Sequence, residues 1–256
     1  MTTLSDSFFR RPLAHRGYHD VSAGILENSR KAFQAAIEAG YGIELDVQLS
    51  KDGHAMVFHD YEMSRLTDAR GAIRTFSRDE LRQIRLKGMD ETVPTLPEVL
   101  SLIDGRTPLL IEIKDQDGAM GPDVDPLEQS VADALNAYSG PVAVMAFNPY
   151  SVAAFADASP QTPRGIVSCS FPAEHWPLLN EETRARLRGI PDYDRVGACF
   201  ISHRHDDLQN PRVAELKAKG AHVNCWTVRS PQAEVEARKI ADMITFEGYT
   251  ALTPVD

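Results

Sequence analysis

Acidic and histidine side chains are concentrated between residues 43 and 60, in the stretch IELDVQLSKDGHAMVFHD. Glu44 and Asp46 lie two residues apart in an apolar run. Alternate side chains of a strand point to the same face, so both carboxylates are predicted to face one point. Residues 51–53 are typical of a tight turn, and the apolar segment that follows leads to His59. Carboxylates that share a strand face repel each other unless a cation lies between them, and a hard divalent metal is the simplest such cation.

Further polar residues follow other apolar, strand-like runs. They are His15 with Arg16, Glu112 with Lys114, and Asn224 with Trp226. Three carboxylates from two strands, Glu44, Asp46 and Glu112, form a suitable oxygen shell for Mg²⁺ or Ca²⁺. Each assignment has an alternative. The acids could form a polar structural layer of the barrel, and Lys114 could simply neutralise Glu112. Trp226 could belong to the core instead of contacting substrate.

The elements that must position these residues alternate between strands and helices. Strands are predicted over residues 12–17, 41–49, 108–114, 141–147, 164–169, 196–201, 222–228 and 243–246. Apolar strands joined by helices indicate a parallel sheet that is covered on both faces. Eight such units fit an α/β fold of the (β/α)8 TIM barrel type, in which active sites lie at the carboxyl ends of the strands. A doubly wound open sheet is the alternative.

An irregular, Arg-rich segment of about residues 51–93 is predicted to form a small insertion after the second strand. It contains a short helix near residues 77–84, with Ser77 as its N-cap and Glu80 as the capping-box partner. Asn28 is predicted to cap the first helix of the barrel. Because no linker is found, residues 1–256 are interpreted as one domain.

Composition excludes several function classes. The net charge of −10 disfavours non-specific binding of nucleic acid, and no run of about 18 apolar residues indicates an integral membrane span. The N-terminal residues do not resemble a secretory signal, so we expect a cytoplasmic protein. Cysteines at positions 169, 199 and 225 are expected to be buried, reduced thiols. The oligomeric state is left open.

Other histidines are given no chemical role. His203 and His205, together with Asp206, follow the sixth predicted strand and are expected in a solvated loop. No function is assigned to the histidines at positions 19, 54 and 222.

Eight short blocks of the sequence together resemble the glycerophosphodiester phosphodiesterase family. They are HRG at 15–17, EN at 27–28, AFQAAIEAG at 32–40, IELDVQLSKDG at 43–53, VFHD at 57–60, PTLPEVL at 94–100, IEIK at 111–114 and VNCWTV at 223–228. The blocks extend over nearly the whole chain in the family's order. The combination of HRG, ExD, HD and ExK is specific, whereas each motif alone is weak.

This resemblance implies a (β/α)8 barrel with a small insertion, and metal-dependent hydrolysis of a small-molecule glycerophosphodiester to glycerol 3-phosphate and an alcohol. It implies His15 and His59 as the acid and base, and Arg16 and Lys114 as residues near the phosphate. It further implies that the metal ligands are Glu44, Asp46 and Glu112. Which histidine is the acid, and whether water or a substrate hydroxyl attacks, are left open.

Two departures from the family pattern are expected to affect substrate preference more than chemistry. The last strand reads ITFEGY at 244–249, where many members have a Thr-Asp pair followed by proline, and the first helix begins with ENS instead of ENT. Both are expected to lie outside the catalytic core. Two alternatives for the function are a phospholipase D-like enzyme acting on lysophospholipids and a non-catalytic phosphodiester-binding module.

Overall fold

A computed structural model describes residues 2–124 and 126–253, and within these ranges nine strands form one sheet. The strands are β1 (Leu13–Ala14), β2 (Gly42–Leu49), β3 (Ala55–Val57), β4 (Leu109–Ile113), β5 (Val142–Ala146), β6 (Arg164–Ser168), β7 (Phe200–Arg204), β8 (His222–Val228) and β9 (Met243–Phe246). Strand β1 pairs in parallel with both β2 and β9, which closes the barrel. Strand β3 pairs antiparallel with β2 outside it. The predicted (β/α)8 barrel is confirmed, and the open sheet is excluded.

Helices lie between the strands along most of the described chain. They are α1 (Ser7–Arg10), α2 (Arg30–Glu38), α3 (Arg78–Leu81), α4 (Leu96–Ile103), α5 (Pro126–Leu135), α6 (Pro149–Ala158), α7 (Glu181–Arg188), α8 (Pro211–Ala218) and α9 (Pro231–Ala237). The predicted capping box of Ser77 and Glu80 is present at α3. Asn28 is not the cap of α2, because the Ser29 side chain accepts the hydrogen bond there. None of the described helices is long and apolar enough to cross a bilayer.

Alternation along the strands produces two apolar layers. In β2, the side chains of Ile43, Leu45 and Val47 belong to the core cluster shared with the surrounding helices. The intervening side chains face the barrel interior. A second cluster fills that interior with strand residues such as Leu13 and Phe200, and it includes Phe8 of α1. The apolar layer closes the amino end of the barrel, which leaves the other end for polar chemistry.

The predicted insertion forms a compact unit beside the barrel mouth. Gly53, with a φ of 83°, completes the turn between β2 and β3. The chain from β3 to Val93 encloses its own apolar cluster, to which Phe58, Met63 and Leu81 contribute. The insertion therefore has a core of its own, while the interpretation of residues 1–256 as one domain stays a prediction.

Two predicted strands have different bounds in the structure. The first is only two residues long, because the chain turns at Arg16 and Gly17, which have φ values of 55° and 81°. The sixth begins at Phe200 and extends to Arg204, whereas residues 196–201 were predicted. His203 therefore lies in the sheet, and the prediction that it belongs to a solvated loop is wrong.

Candidate active site

Three carboxylates form a buried cluster at the carboxyl ends of β2 and β4. Asp46 is the register partner of Glu112, and Glu44 lies two residues earlier on the same face of β2. One oxygen of each acid lies within 4.8 Å of the others. Glu44 and Asp46 are 1% exposed and Glu112 is 8% exposed. The prediction that these acids face one point is confirmed.

The electrostatics of Glu44 indicate that the cluster lacks positive charge. Burial is the main cause that raises the pKa of this carboxyl well above its ordinary value, and repulsion from Asp46 and Glu112 adds to it. A cation among the three acids would relieve this repulsion.

Asp46 has the opposite electrostatic behaviour. Burial alone would raise its pKa, but the positive groups of Lys114, His59 and Arg16 hold the pKa far below the ordinary value. Its Oδ1 atom is buried and has no hydrogen-bond partner among the described residues. An ionised, buried carboxylate oxygen without a donor is the kind of atom that a metal ion satisfies.

Two cationic side chains contact the cluster. Arg16 Nε lies 3.2 Å from Asp46 Oδ2, and its Nη1 donates to Glu27 over 2.7 Å. Lys114 Nζ lies 2.6 Å from Glu112 Oε1 and 3.4 Å from Asp46 Oδ1. When all three acids are ionised, three carboxylates against two cations leave one negative charge in the cluster. The donor set and its charge therefore fit a divalent cation, as predicted, without identifying it.

His15 follows β1 directly and lies beside the acids. Its backbone N–H donates to Phe246 O over 2.9 Å, which fixes its place at the junction of β1 and β9. Its Nδ1 lies 2.5 Å from Glu247 Oε2, and its Nε2 lies 4.0 Å from Glu44 Oε2. Burial lowers the pKa of His15, although the contact with Glu247 opposes this shift.

His59 reaches the site from the hairpin that follows β2. Gln48 donates from Nε2 to His59 O over 2.9 Å, and His59 Nδ1 lies 2.7 Å from Asp60 Oδ1. Asp60 is held in turn by Arg65, whose Nε lies 2.5 Å from Asp60 Oδ2. Each predicted catalytic histidine thus has a carboxylate at Nδ1, which leaves Nε2 as the ring nitrogen without this partner.

All the predicted site residues except the buried Asp46 line one cavity of about 310 Å³. Its lining includes His15, Arg16, Glu44, His59, Glu112, Lys114 and Trp226. Thus residues from β1, β2, β4, β8 and the hairpin meet at the barrel mouth. His205 also lines this cavity from the turn that follows β7, where it is half-buried, whereas the adjacent Asp206 is exposed.

A second cavity of about 630 Å³ shares His59, Glu112 and Lys114 with the first. Its far wall is apolar and aromatic, with Phe147 and Trp176 at a ring-centroid distance of 4.9 Å. Trp226 donates from Nε1 to Ser202 O over 2.9 Å and packs against Phe147 at 5.5 Å. The mouth therefore has a polar side near His15 and an aromatic side near His59.

Asn28 and Glu247 are two site residues that the sequence analysis missed. Asn28, which was predicted to cap a helix, instead donates to the carboxylate of Asp46. Glu247 belongs to the ITFEGY segment, which departs from the family pattern. This segment was expected to lie outside the catalytic core, and the contact of Glu247 with His15 shows that this expectation is wrong. No local pattern indicates the second contact, because 232 residues separate its partners.

Several other histidines and the cysteines lie outside the predicted site. His203 is fully buried in β7, where its Nδ1 lies 2.8 Å from Ser168 Oγ. All three cysteines are free, as predicted, but Cys199 is only half-buried because it precedes β7. His54 and His222 lie outside the described lining of the two cavities.

Comparison with known proteins decides the family. The sequence model of the glycerophosphoryl diester phosphodiesterase family matches residues 15–246. The chain belongs to this family. The resemblance and the predicted enzyme class, phosphoric diester hydrolase, are thereby confirmed.

Individual relatives agree with this family. The chain is 33% identical over 174 residues to a glycerophosphodiester phosphodiesterase of Caldanaerobacter subterraneus subsp. tengcongensis, which covers 64% of this chain and 69% of the relative. It is 26% identical over 244 residues to the Bacillus subtilis protein YhdW, and this match covers 91% of this chain and 93% of the relative. The fold resembles an Oleispira antarctica phosphodiesterase in complex with the product sn-glycerol-3-phosphate, with a TM-score of 0.76, 23% identity and 94% of each chain covered.

Proposed function

We propose that this chain hydrolyses small glycerophosphodiesters to glycerol 3-phosphate and an alcohol, using a divalent cation and the His15–His59 pair. The observation that carries the proposal is the placement of two histidines around one buried three-carboxylate cluster, in a cavity that both histidines line. The family of the chain supports this substrate class.

The two histidines suit opposite ends of a phosphoryl displacement. Each has its Nδ1 within hydrogen-bond distance of a carboxylate, so Nε2 is the atom available for proton exchange. One histidine accepts the proton of the attacking hydroxyl or water, and the other donates a proton to the leaving alkoxide. The ordinary pKa of histidine lies close enough to neutrality for both tasks.

The metal site and the neighbouring cationic side chains bind the negatively charged phosphodiester. Glu44, Asp46 and Glu112 would hold Mg²⁺ or Ca²⁺, which when bound stabilises negative charge on the phosphate oxygens. Arg16 and Lys114 line the same cavity and add positive charge beside the phosphate. Trp226 supplies an apolar surface for the substrate.

The aromatic cavity favours a second candidate, a phospholipase D-like activity on lysophospholipids. Such an activity needs an apolar substrate channel, and Phe147 and Trp176 supply apolar surface from the loops after β5 and β6. This surface borders His59 and would accept a bulkier substituent than a short alcohol.

Turnover assays distinguish the candidates. A panel of glycerophosphodiesters and lysophospholipids is assayed with EDTA, and again with excess Mg²⁺ or Ca²⁺. We expect release of glycerol 3-phosphate that EDTA abolishes and one of the two metals restores. Full activity in excess EDTA contradicts the metal site, and faster turnover of lysophospholipids establishes the second candidate. Binding of all substrates without turnover would leave only a binding module.

The histidine roles are tested by leaving-group dependence. Loss of one proton-transfer group costs about 10² to 10⁴ in rate, so His15→Ala and His59→Ala should each lower kcat by about that factor. A nitrophenyl ester needs little protonation as it leaves. The variant that lacks the acid should therefore recover most of its rate on this ester, and the variant that lacks the base should not. Rates near wild type for both variants on a natural substrate contradict the assignment.

A cytoplasmic location is also part of this proposal, and fractionation of the native host tests it.

A further inference from the structure

We propose that Glu247 is the positioning residue of His15, and that it fixes which ring nitrogen of this histidine exchanges protons with the substrate. This inference rests on the proposed acid–base function of His15. Glu247 follows β9 directly, and its Oε2 lies 2.5 Å from His15 Nδ1. The contact links the ends of β1 and β9, the two strands at which the barrel closes. It therefore forms only when the barrel is closed.

The backbone fixes both partners before their side chains meet. Ala14 and Phe246 are register partners in the β1–β9 pair, and His15 N–H donates to Phe246 O over 2.9 Å. On the other side, the backbone N–H of Glu247 donates to Val228 O over 2.9 Å. Three strands thus determine the distance between the carboxylate and the imidazole.

Arg229 restrains the Glu247 carboxylate from the opposite side. Its Nε lies 3.2 Å from Glu247 Oε1, and its Nη2 lies 3.4 Å from Glu247 Oε2. Burial opposes ionisation of Glu247, but the His15 contact and the charges of His15 and Arg229 lower the pKa of this carboxyl to about 2. The group is therefore an anion near neutral pH, and as an anion it can only accept hydrogen bonds.

An acceptor at Nδ1 selects one tautomer of His15. The hydrogen of a neutral imidazole must then reside on Nδ1, which leaves the lone pair on Nε2. Nε2 is the ring nitrogen that faces Glu44, at 4.0 Å from Oε2. Without Glu247 the tautomer with hydrogen on Nε2 becomes accessible, and in that form His15 presents no lone pair to the reacting group. An aspartate that orients the histidine of a serine protease acts in the same way.

The two histidines are oriented by different means. Asp60, the partner of His59, is its neighbour in sequence and is also held by Arg65. Glu247 is separated from His15 by 232 residues. The His59 pair therefore follows from a local motif, whereas the His15 pair requires closure of the barrel.

The test measures kcat and KM separately for Glu247→Gln, Glu247→Ala and Glu247→Asp with a glycerophosphodiester and saturating Mg²⁺. We expect Glu247→Ala to lower kcat at least 10-fold, up to the full cost of losing the histidine, about 10² to 10⁴, with KM changed by less than about threefold. Glu247→Gln, whose amide oxygen can still accept from Nδ1, should lose less. Glu247→Asp keeps the charge but is about 1.5 Å shorter, so only partial rescue is expected.

A double-mutant comparison separates positioning from a general structural role. In the His15→Ala background, Glu247→Ala should cost less than about twofold further in kcat, because it acts through the missing histidine. A purely structural residue would lower kcat by the same factor in both backgrounds, which would overturn the proposal. The ¹⁵N NMR spectrum of His15 supplies a second measurement, with hydrogen on Nδ1 in the wild type and a mixture of tautomers in Glu247→Ala.

Asp242→Asn is the matched control. Asp242 precedes β9 at the other end of the barrel, where it binds Lys217 and the backbone N–H of Val223. This variant should lower stability without changing kcat. If His15→Ala keeps wild-type activity, the proposed function itself fails. If His15→Ala is impaired but Glu247→Ala keeps the wild-type kcat, only the positioning role of Glu247 is overturned.

Discussion

Asn28 donates a hydrogen bond from Nδ2 to Asp46 Oδ2 over 2.9 Å, and both side chains are about 1% exposed. Asn28 has a φ of 54°, a conformation that asparagine and aspartate tolerate better than most residues. The contact orients Asp46, one of the three acids of the proposed metal site, although Asn28 is not itself one of these acids. Partners of this kind fix the direction of the metal ligands and their basicity.

Replacement of this donor by an acid should damage the metal site. Asn28→Asp keeps the backbone preference but places a second carboxylate against Asp46, so we expect about 10- to 100-fold weaker Mg²⁺ binding. Calorimetric titration measures the affinity. The exposed Asn136 provides the control, since Asn136→Asp adds the same charge at the surface and should bind Mg²⁺ normally. Unchanged affinity in Asn28→Asp would refute a role for this contact.

Glu44 should destabilise the metal-free fold near neutral pH. Burial and then repulsion from Asp46 and Glu112 raise its pKa in the folded state above the ordinary 4.5. The folded state therefore holds this proton more tightly than the unfolded chain, and this contribution to stability is full below about pH 4.5 and is lost as pH rises toward the folded pKa. At pH 8 in EDTA, Glu44→Gln should thus be more stable than the wild type.

Added Mg²⁺ should reverse this order. A ligand present at 100 times its dissociation constant stabilises the state that binds it by about 2.7 kcal/mol, and Glu44→Gln should lose most of that gain. Urea unfolding with EDTA and with Mg²⁺ measures both effects. If Glu44→Gln is less stable than the wild type in EDTA at pH 8, the buried charge is compensated within the protein and no cation is needed.

His203 should make the fold sensitive to mild acid. Burial lowers its pKa below the ordinary 6.5, even though the contact with Asp207 opposes the shift. Below about pH 6.5 the unfolded chain binds a proton that the folded state resists, so stability falls as pH decreases toward the folded pKa. At pH 8, His203→Gln should cost about 1–3 kcal/mol, because Ser168 Oγ loses its partner.

The difference between His203→Gln and the wild type should shrink from pH 7 to pH 5, because the variant has no group to titrate at this position. Urea unfolding at several pH values measures this difference. The half-exposed His54 gives the control variant His54→Gln, which should follow the wild type at each pH. A difference that stays constant with pH would contradict the role of His203 in acid sensitivity.

Removal of the insertion should preserve the barrel but slow catalysis. Replacement of residues 61–92 by a short linker leaves His59 in place and removes Arg65, which binds both Asp60 and Glu27. We expect cooperative unfolding by circular dichroism together with a lower kcat. The single variant Arg65→Met serves as the comparison and should reproduce most of the loss in kcat. A shortened chain without cooperative unfolding would mean that the insertion belongs to the barrel core.

The sequence by itself determined the barrel and the charged residues at its mouth. Strand periodicity places side chains at i and i+2 on one face, so the acids of β2 and the Glu112–Lys114 pair of β4 were predictable from local spacing. Repeated strand–helix units determined the parallel barrel, and its carboxyl end determined where polar residues meet. The turn at Gly53 likewise determined that His59 returns to β2. In each case the information lies within a few neighbouring residues.

Only the tertiary structure decided the contacts between residues that are distant in sequence. Asn28 was interpreted as a cap because its local pattern is that of a helix start, and only the approach of β2 shows its bond to Asp46. His203 became buried because β7 extends further than its apolar run. Glu247 meets His15 because β9 closes the barrel on β1, which brings together positions 232 residues apart. Such pairs depend on strand register and barrel closure, and neither property is encoded within one short segment.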